Sequence, residues 1–233
     1  MNILAVTTFD DTLQVALKKD TIYYAIIVKG QFKHSTNLVP IIKEICEKNE
    51  IMVKDLNLLT ITRGPGSFTG LRIGMSALKG ISVGLNIPII SFSSLDLIKQ
   101  SCSFYDGVIL PIIDARKQRF YTAIYNHGVK ETEELDINAI DIKTELSVFP
   151  EILLVGQDAP KFLEEFKKSY EGKIILDCSI KNYGEILIDM AIDAFNKGKV
   201  DNISQGPTYI RKSEAEINRL NKEKLQWLNH LII

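Results

Sequence analysis

Histidines are the first residues of this chain to consider for metal binding or catalysis, and there are three. Only His34 stands in a suggestive place, just before an amphipathic segment that predicts a helix. Two histidine ligands on one helix face need one-turn spacing, and the position one turn after His34 holds Leu38. His127 falls in a predicted turn, and His230 lies close to the C-terminus. The sequence therefore predicts no metal site.

Carboxylates are the second group of candidates, because they could handle a phosphate or a nucleotide. Asp10 and Asp11 follow the first predicted strand, where a solvated turn is the simpler interpretation. Asp114 and Arg116 follow a second apolar strand and either orient a nucleotide or form an ion pair that fixes the next hairpin. No general acid and base can be paired from these positions. We expect no catalytic residue and no cofactor, with weak nucleotide binding by these four residues left open.

A glycine-rich stretch, TRGPGSFTGLRIG from Thr62 to Gly74, directly follows an apolar run. Ser67 stands where it can cap a helix, so the pattern predicts strand, turn and helix. A Walker loop needs a lysine after its last glycine, where this chain has Leu71. A nucleophile elbow is excluded by Pro65, and the glycine spacing does not fit a dinucleotide fingerprint. The stretch predicts a helix N-terminus without a familiar catalytic loop.

Small residues on the helix after Ser67 predict close packing. At about 100° per residue, Gly70, Gly74 and Ala77 fall on one stripe. Each interior glycine costs about 1 kcal/mol relative to alanine, so close contacts must return that free energy. The approaching group is either a helix of the same chain or a partner protein, and the pattern leaves both open.

Composition bounds the class of protein. The net charge is -1, so the chain lacks the basic excess that is typical of direct nucleic-acid binders. No stretch is apolar for long enough to span a membrane. Cys46, Cys102 and Cys178 lie in apolar segments without C-x-x-C spacing. This usage predicts buried, reduced thiols and a cytoplasmic location.

The order of predicted elements occurs twice along the chain. Residues 1–104 show the order βββαβαβα, and residues 105–212 repeat it with a weak third strand and first helix. This duplicated α/β order resembles the actin/hexokinase/Hsp70 (ASKHA) superfold, in which two lobes face each other across a cleft. Residues 213–233 have apolar positions at helical spacing and predict an amphipathic C-terminal helix packed on the body.

The segment from Arg63 to Gly74 resembles the most specific motif of the TsaB (YeaZ) family almost letter for letter. One departure is Thr7, where family members commonly carry an aspartate, which argues against a nucleotide role. Weaker matches follow over nearly the whole chain: Ile3 to Val6 with Thr8, His34-Ser35, Ser93 to Leu95, Asp114 to Arg116 with Tyr121, Gly156 with Asp158-Ala159, and Pro207, Tyr209 and Arg211.

This resemblance implies a non-catalytic subunit in the synthesis of tRNA N6-threonylcarbamoyladenosine. Its partners would be a TsaD-type transferase, bound through first-lobe helices, and a TsaE-type ATPase at their junction. A homodimer would form when TsaD is absent, tRNA would be contacted only through the complex, and no membrane would be involved. An active nucleotide-dependent phosphotransferase and a self-sufficient homodimer stay open as alternatives. The predicted partner interface comprises His34, Leu38, Ile42, Gly66, Ser67, Gly70, Arg72, Ile73, Gly74 and Ala77.

Overall fold

The first half of the chain forms a five-stranded sheet in the computed structural model, which describes residues 1–30 and 34–211. The first strand lies in the middle, pairing antiparallel with the second and parallel with the fourth. Its residues are all buried, which explains its continuous apolar run. The spatial order is β3-β2-β1-β4-β5, with β1 at Ile3–Thr7, β2 at Thr12–Lys19, β3 at Ile22–Lys29, β4 at Leu58–Gly64 and β5 at Ile89–Ser93.

The second half repeats this arrangement and adds a small sheet. Its five-stranded sheet has the order β10-β9-β6-β12-β13, which corresponds strand for strand to the first. A three-stranded sheet, β11-β8-β7, branches from it. The bounds are β6 Val108–Pro111, β7 Ile113–Asp114, β8 Phe120–Thr122, β9 Tyr125–Asn126, β10 Val129–Lys130, β11 Leu135–Ile137, β12 Glu151–Val155 and β13 Lys173–Asp177.

Helices form layers on both sides of each large sheet. Helices α1 (His34–Lys48) and α2 (Phe68–Leu85) cover the outer face of the first sheet, each burying apolar residues at helical spacing. Helices α3 (Ser94–Gln100) and α6 (Tyr183–Asn196) lie between the two sheets in the central core. On the second sheet's outer face, α4 (Lys143–Leu146) and α5 (Ala159–Phe166) complete the third core.

The predicted duplicated fold is confirmed, with local differences. In place of the weak third strand that the sequence predicts for the second repeat, the structure has two short strands, β10 and β11, which belong to different sheets. Helix α6, from the second repeat, packs on β1 and β2 of the first sheet, so the two halves share one core. Lobe boundaries at 1–104 and 105–212 therefore stay a prediction.

Three further predictions concern the whole chain. Cys46 and Cys102 are buried as expected, but Cys178 is exposed, because it follows the edge strand β13 instead of lying within it. Within residues 1–30 and 34–211, no helix has the length and apolarity needed to cross a membrane. The predicted C-terminal helix at 213–233 lies outside the described residues.

Candidate functional site

A cleft of about 720 Å³ lies between the two halves of the molecule. One wall is formed by the β1–β2 turn and by the N-termini of α1 and α2. The opposite wall is formed by the β7–β8 hairpin and by the loop that precedes α5. The volume lies in the range typical of small-molecule sites. The side chains that line the cleft decide what it can do.

The β1–β2 turn places Asp10 at the bottom of the cleft. Its carboxylate accepts a hydrogen bond from the backbone N–H of Thr12 at 2.9 Å. Burial raises the pKa of Asp10 to about 7, with smaller increases from the charges of Asp11 and Asp158. The predicted turn is present, with Asp11 exposed and Asp10 half-buried. His34 lies beside this turn, with its ring Nε2 3.0 Å from the backbone oxygen of Asp10.

Asp114 and Arg116 form an ion pair within the chain, which is one of the two roles that the sequence left open for them. The backbone N–H of Arg116 donates to the Asp114 carboxylate at 2.8 Å, and the guanidinium lies 3.6 Å from it. Lys161 adds a second ion pair to Asp114 at 2.9 Å. Arg116, Lys117 and Gln118 all have positive φ, so the Asp114 carboxylate stabilises a tight left-handed turn. These contacts brace the hairpin between β7 and β8.

Asp158 is a cleft residue that sequence reasoning found only through the family resemblance. Its carboxylate accepts the backbone N–H of Asp114 at 2.8 Å. Burial raises its pKa, and the neighbouring charges of Asp114 and Asp11 raise it further. A local signal existed, because Asp158 directly precedes α5 at the usual N-cap position. Its link to the hairpin depends on packing across the cleft.

The cleft as a whole is acidic and poorly suited to a free phosphate group. Among the described residues, four carboxylates line it, together with one arginine. Like charges repel strongly in a partly desolvated cleft, so these carboxylates oppose an anionic ligand. Within the two described ranges, no group of three or more His, Cys, Asp or Glu side chains is placed to hold a metal ion. The four carboxylates and the arginine are Asp10, Asp11, Asp114, Asp158 and Arg116.

Helix α2 begins as the sequence predicts, but its first two glycines, Gly70 and Gly74, face inward, not toward a partner surface. The Ser67 hydroxyl caps the helix by accepting the backbone N–H of Gly70 at 3.2 Å. A Cβ on Gly70 would lie 2.1 Å from the backbone oxygen of Thr8, and one on Gly74 would lie 2.6 Å from the Thr8 hydroxyl. Gly70 also faces the first residue of α1, since its Cβ would lie 3.1 Å from the His34 ring. Both are needed because the end of β1 runs directly beneath α2.

The predicted partner interface is divided by this burial. Leu38, Ile42, Gly70 and Gly74 are buried within the chain, so their assignment to a partner surface is wrong. The side chains of Leu38 and Ile42 fill the core beneath α1. The remaining predicted residues reach the surface and stay a prediction: Ser67 and Arg72 are exposed, and His34, Gly66, Ile73 and Ala77 are half-buried.

The segment from Asp201 to Arg211, which we call the C-terminal strap, connects both halves along one edge. Asp201 accepts hydrogen bonds from the backbone N–H and the hydroxyl of Ser91 on β5. At the other end, Arg211 forms a bidentate pair with Asp136 of β11, with both N–O distances at 2.7 Å. The Asp136 partnership was missed, since the two residues lie 75 positions apart.

Comparisons with known proteins agree with this architecture. A family model described as TsaD: tRNA N6-adenosine threonylcarbamoyltransferase matches residues 29–164. The Bacillus subtilis tRNA threonylcarbamoyladenosine biosynthesis protein TsaB is 28% identical, covering 96% of this chain and 100% of that protein. Its counterpart from Buchnera aphidicola of Schizaphis graminum is 30% identical, covering 75% and 87%. The solved structure of YeaZ from Pseudomonas aeruginosa superposes with a TM-score of 0.76 at 20% identity, covering 90% and 99%.

Proposed function

The chain belongs to the TsaB (YeaZ) family, and from this we propose that it is a non-catalytic subunit of tRNA N6-threonylcarbamoyladenosine biosynthesis. In this role it binds and supports a TsaD-type transferase. The names of its relatives support the pathway. The family model that matches residues 29–164 bears the transferase's description, which suggests that the two chains are paralogues and could pair through related surfaces.

One observation carries the binding role: α2 has an outward surface that is small and apolar. Ile73, Ala77 and Ile81 are half-buried along it. At Gly80 and Gly84, an added Cβ would meet nothing within 4 Å. Glycines cost helix stability, and no contact with another described residue requires them here. A flat surface that admits another helix closely explains their presence.

Exposed apolar side chains extend this surface beyond the glycines. Val83 and Leu85 at the end of α2 are 66% and 44% exposed, and Val39 on α1 is 60% exposed. Large apolar side chains exposed close to one another are typical of protein–protein contacts. We define the docking face as the outward residues of α1 and α2 around Val39, Ala77 and Gly80. A TsaD-type helix pair is its proposed partner, and a second copy would occupy it when TsaD is absent.

The cleft supports the non-catalytic part of the proposal. Its carboxylates are placed in structural contacts, such as the bond from Asp158 to the Asp114 backbone. Thr7, at the position where the family commonly has an aspartate, is fully buried, and its hydroxyl has no hydrogen-bond partner among the described residues. A TsaE-type ATPase near the complex junction and tRNA contacted through the complex complete the proposed assembly.

The decisive experiment is a binding measurement on Gly80→Leu with Gly80→Ala as the matched control. The chain has space for either side chain, so both variants should be as stable as the parent or up to about 1 kcal/mol more stable. Leucine should hold a partner helix away and weaken binding to the TsaD-type transferase by about tenfold or more. Alanine should change binding much less. Calorimetric titration and analytical ultracentrifugation measure both associations.

Normal transferase binding by Gly80→Leu would refute the docking face. An activity assay tests the other half of the proposal: the purified chain should show no threonylcarbamoyl transfer and no ATP hydrolysis without its partners. Turnover by the chain alone would favour the phosphotransferase alternative. Homodimerisation that persists while the transferase fails to bind would favour the self-sufficient homodimer.

A further inference from the structure

Arg72 is held in a fixed orientation at the exposed edge of α2. Its Nε donates a hydrogen bond to the Tyr209 hydroxyl at 2.8 Å. Its guanidinium carbon lies 3.9 Å from the centre of the Phe68 ring and 5.6 Å from that of Tyr209. The two rings are themselves in contact, with centroids 4.5 Å apart. A guanidinium placed in this way loses little entropy on binding.

The terminal amino groups of Arg72 have no acceptor within residues 1–30 and 34–211. Every other arginine in those ranges uses its terminal groups inside the chain. Arg63 donates to the Ser91 carbonyl, and Arg116 pairs with Asp114. Arg119 and Arg211 both bind Asp136. Arg72 is thus oriented by the chain through Nε, is exposed, and has two terminal donors without a partner among the described residues.

The C-terminal strap is what places Tyr209 over α2. The backbone N–H of Thr208 donates to the Arg63 carbonyl at 2.7 Å, which fixes the strap beside β4. Two residues after Tyr209, Arg211 is clamped by Asp136 and by the Ala115 carbonyl. Tyr209 is therefore anchored on both sides by contacts with residues remote in sequence. Because Tyr209 is held in place, it can orient the Arg72 side chain, which on its own would sample many rotamers.

We propose that Phe68, Arg72 and Tyr209 form a receptor for a carboxylate on the surface of the partner transferase, an inference that rests on the proposed function. Two parallel N–H donors match the two oxygens of an Asp or Glu side chain. Arginine and tyrosine flanked by an aromatic ring are also the side chains that most often dominate binding energy at interfaces.

A polyanion is a poorer match than a single carboxylate. Phe68 also lines the acidic cleft, so the receptor lies at the mouth of a cavity that contains Asp10, Asp11 and Asp114. These charges repel the extended phosphate backbone of an RNA. Arg72 itself does not line the cleft, so an isolated partner carboxylate can reach it without entering the cleft.

The test compares Arg72→Ala, Arg72→Lys and Tyr209→Phe with the parent, using the TsaD-type transferase as the binding partner. Lys168→Gln is the control, because Lys168 is an exposed cation of the second half. Removing Arg72 should weaken binding by about tenfold or more. Lysine should restore little of this, since it cannot form the bidentate pair. Tyr209→Phe keeps the ring contact and should cost about threefold, by loosening the guanidinium. Lys168→Gln should bind normally.

Several outcomes would overturn the inference. If the parent binds the transferase and Arg72→Ala binds within twofold of it, the receptor is refuted while the proposed function stands. Full rescue by lysine would refute the bidentate geometry. If Arg72→Ala lowers affinity for tRNA alone but not for the transferase, the patch contacts RNA instead. If the parent itself does not bind the transferase, the proposed function fails, and the inference fails with it. Circular dichroism and melting curves of each variant confirm that the fold is retained.

Discussion

The two halves of α2 use the same residue type for opposite purposes. Gly70 and Gly74, in the first half, lie against the end of β1, where a Cβ would contact Thr8. Gly80 and Gly84, in the second half, have open space around them. The inward glycines are required for the chain to fold closely. The outward glycines have no such contact within residues 1–30 and 34–211, which is why we propose a role for them in partner binding.

This difference shows why a stripe of small residues does not identify a partner surface. The stripe of Gly70, Gly74 and Ala77 is one feature in the sequence, but its members have different surroundings in the structure. The first two members meet a strand of their own chain, whereas Ala77 is half-buried near the outward surface. We therefore place the proposed docking face closer to the C-terminal end of α2 than the sequence predicts.

The comparison makes Gly74→Leu the most damaging change. The new side chain would collide with the Thr8 hydroxyl and with the Ile61 side chain, whose nearest atom would lie 2.9 Å from the Cβ. Overpacking of this kind should lower the free energy of unfolding by about 3 kcal/mol. Urea denaturation measures the loss, and Gly80→Leu is the matched control. If the two variants had the same free energy of unfolding, the two halves of α2 would not differ in packing as we describe.

The β1–β2 turn, which lies against the first half of α2, should make the free energy of unfolding depend on pH. Asp10 in this turn has a pKa of about 7 in the folded chain, against an ordinary value of 3.8. At low pH both folded and unfolded chains carry a neutral Asp10. As the pH rises from about 4 to 7, the unfolded chain ionises first and is favoured, so the free energy of unfolding falls.

Asp10→Asn removes this titration while keeping an acceptor for the Thr12 N–H. The variant should exceed the parent in free energy of unfolding by about 1 to 3 kcal/mol at pH 7.5 and match it near pH 4. Denaturant titrations at the two pH values measure the difference. The same gap at both values would show that burial of the Asp10 charge is not the cause.

The smallest expected effect on stability comes from a substitution in the second half of α2, where Gly80 and Gly84 face outward. Gly84→Ala adds a methyl group to open space near the end of α2, and helix propensity alone should stabilise the monomer by up to about 1 kcal/mol. A rise of a few degrees in melting temperature is the expected readout. Destabilisation would mean that Gly84 has a contact within the chain, and would weaken the assignment of this region to a partner.

Local patterns were enough to predict the elements of the first half and their order. The turn at Arg63 to Gly66 and the cap at Ser67 are set by residues a few positions apart, and the structure has both. Apolar periodicity correctly gave α1 and α2, and the repeat of element order gave the duplicated fold. The motif beginning at Arg63 also identified the family. Each of these signals is carried by neighbouring residues, whose backbone preferences and burial pattern are written in the sequence itself.

Only the tertiary structure showed which segment of the chain packs against each face of a helix or strand. Periodicity shows that a helix face is buried, but not whether a strand, a helix or a partner covers it. Arg72 and Tyr209 are 137 positions apart, and Arg211 meets Asp136 across 75. The burial that raises the pKa of Asp10 likewise depends on packing between distant segments. Such contacts arise from how whole elements pack, because no local preference specifies which remote side chain will lie within reach.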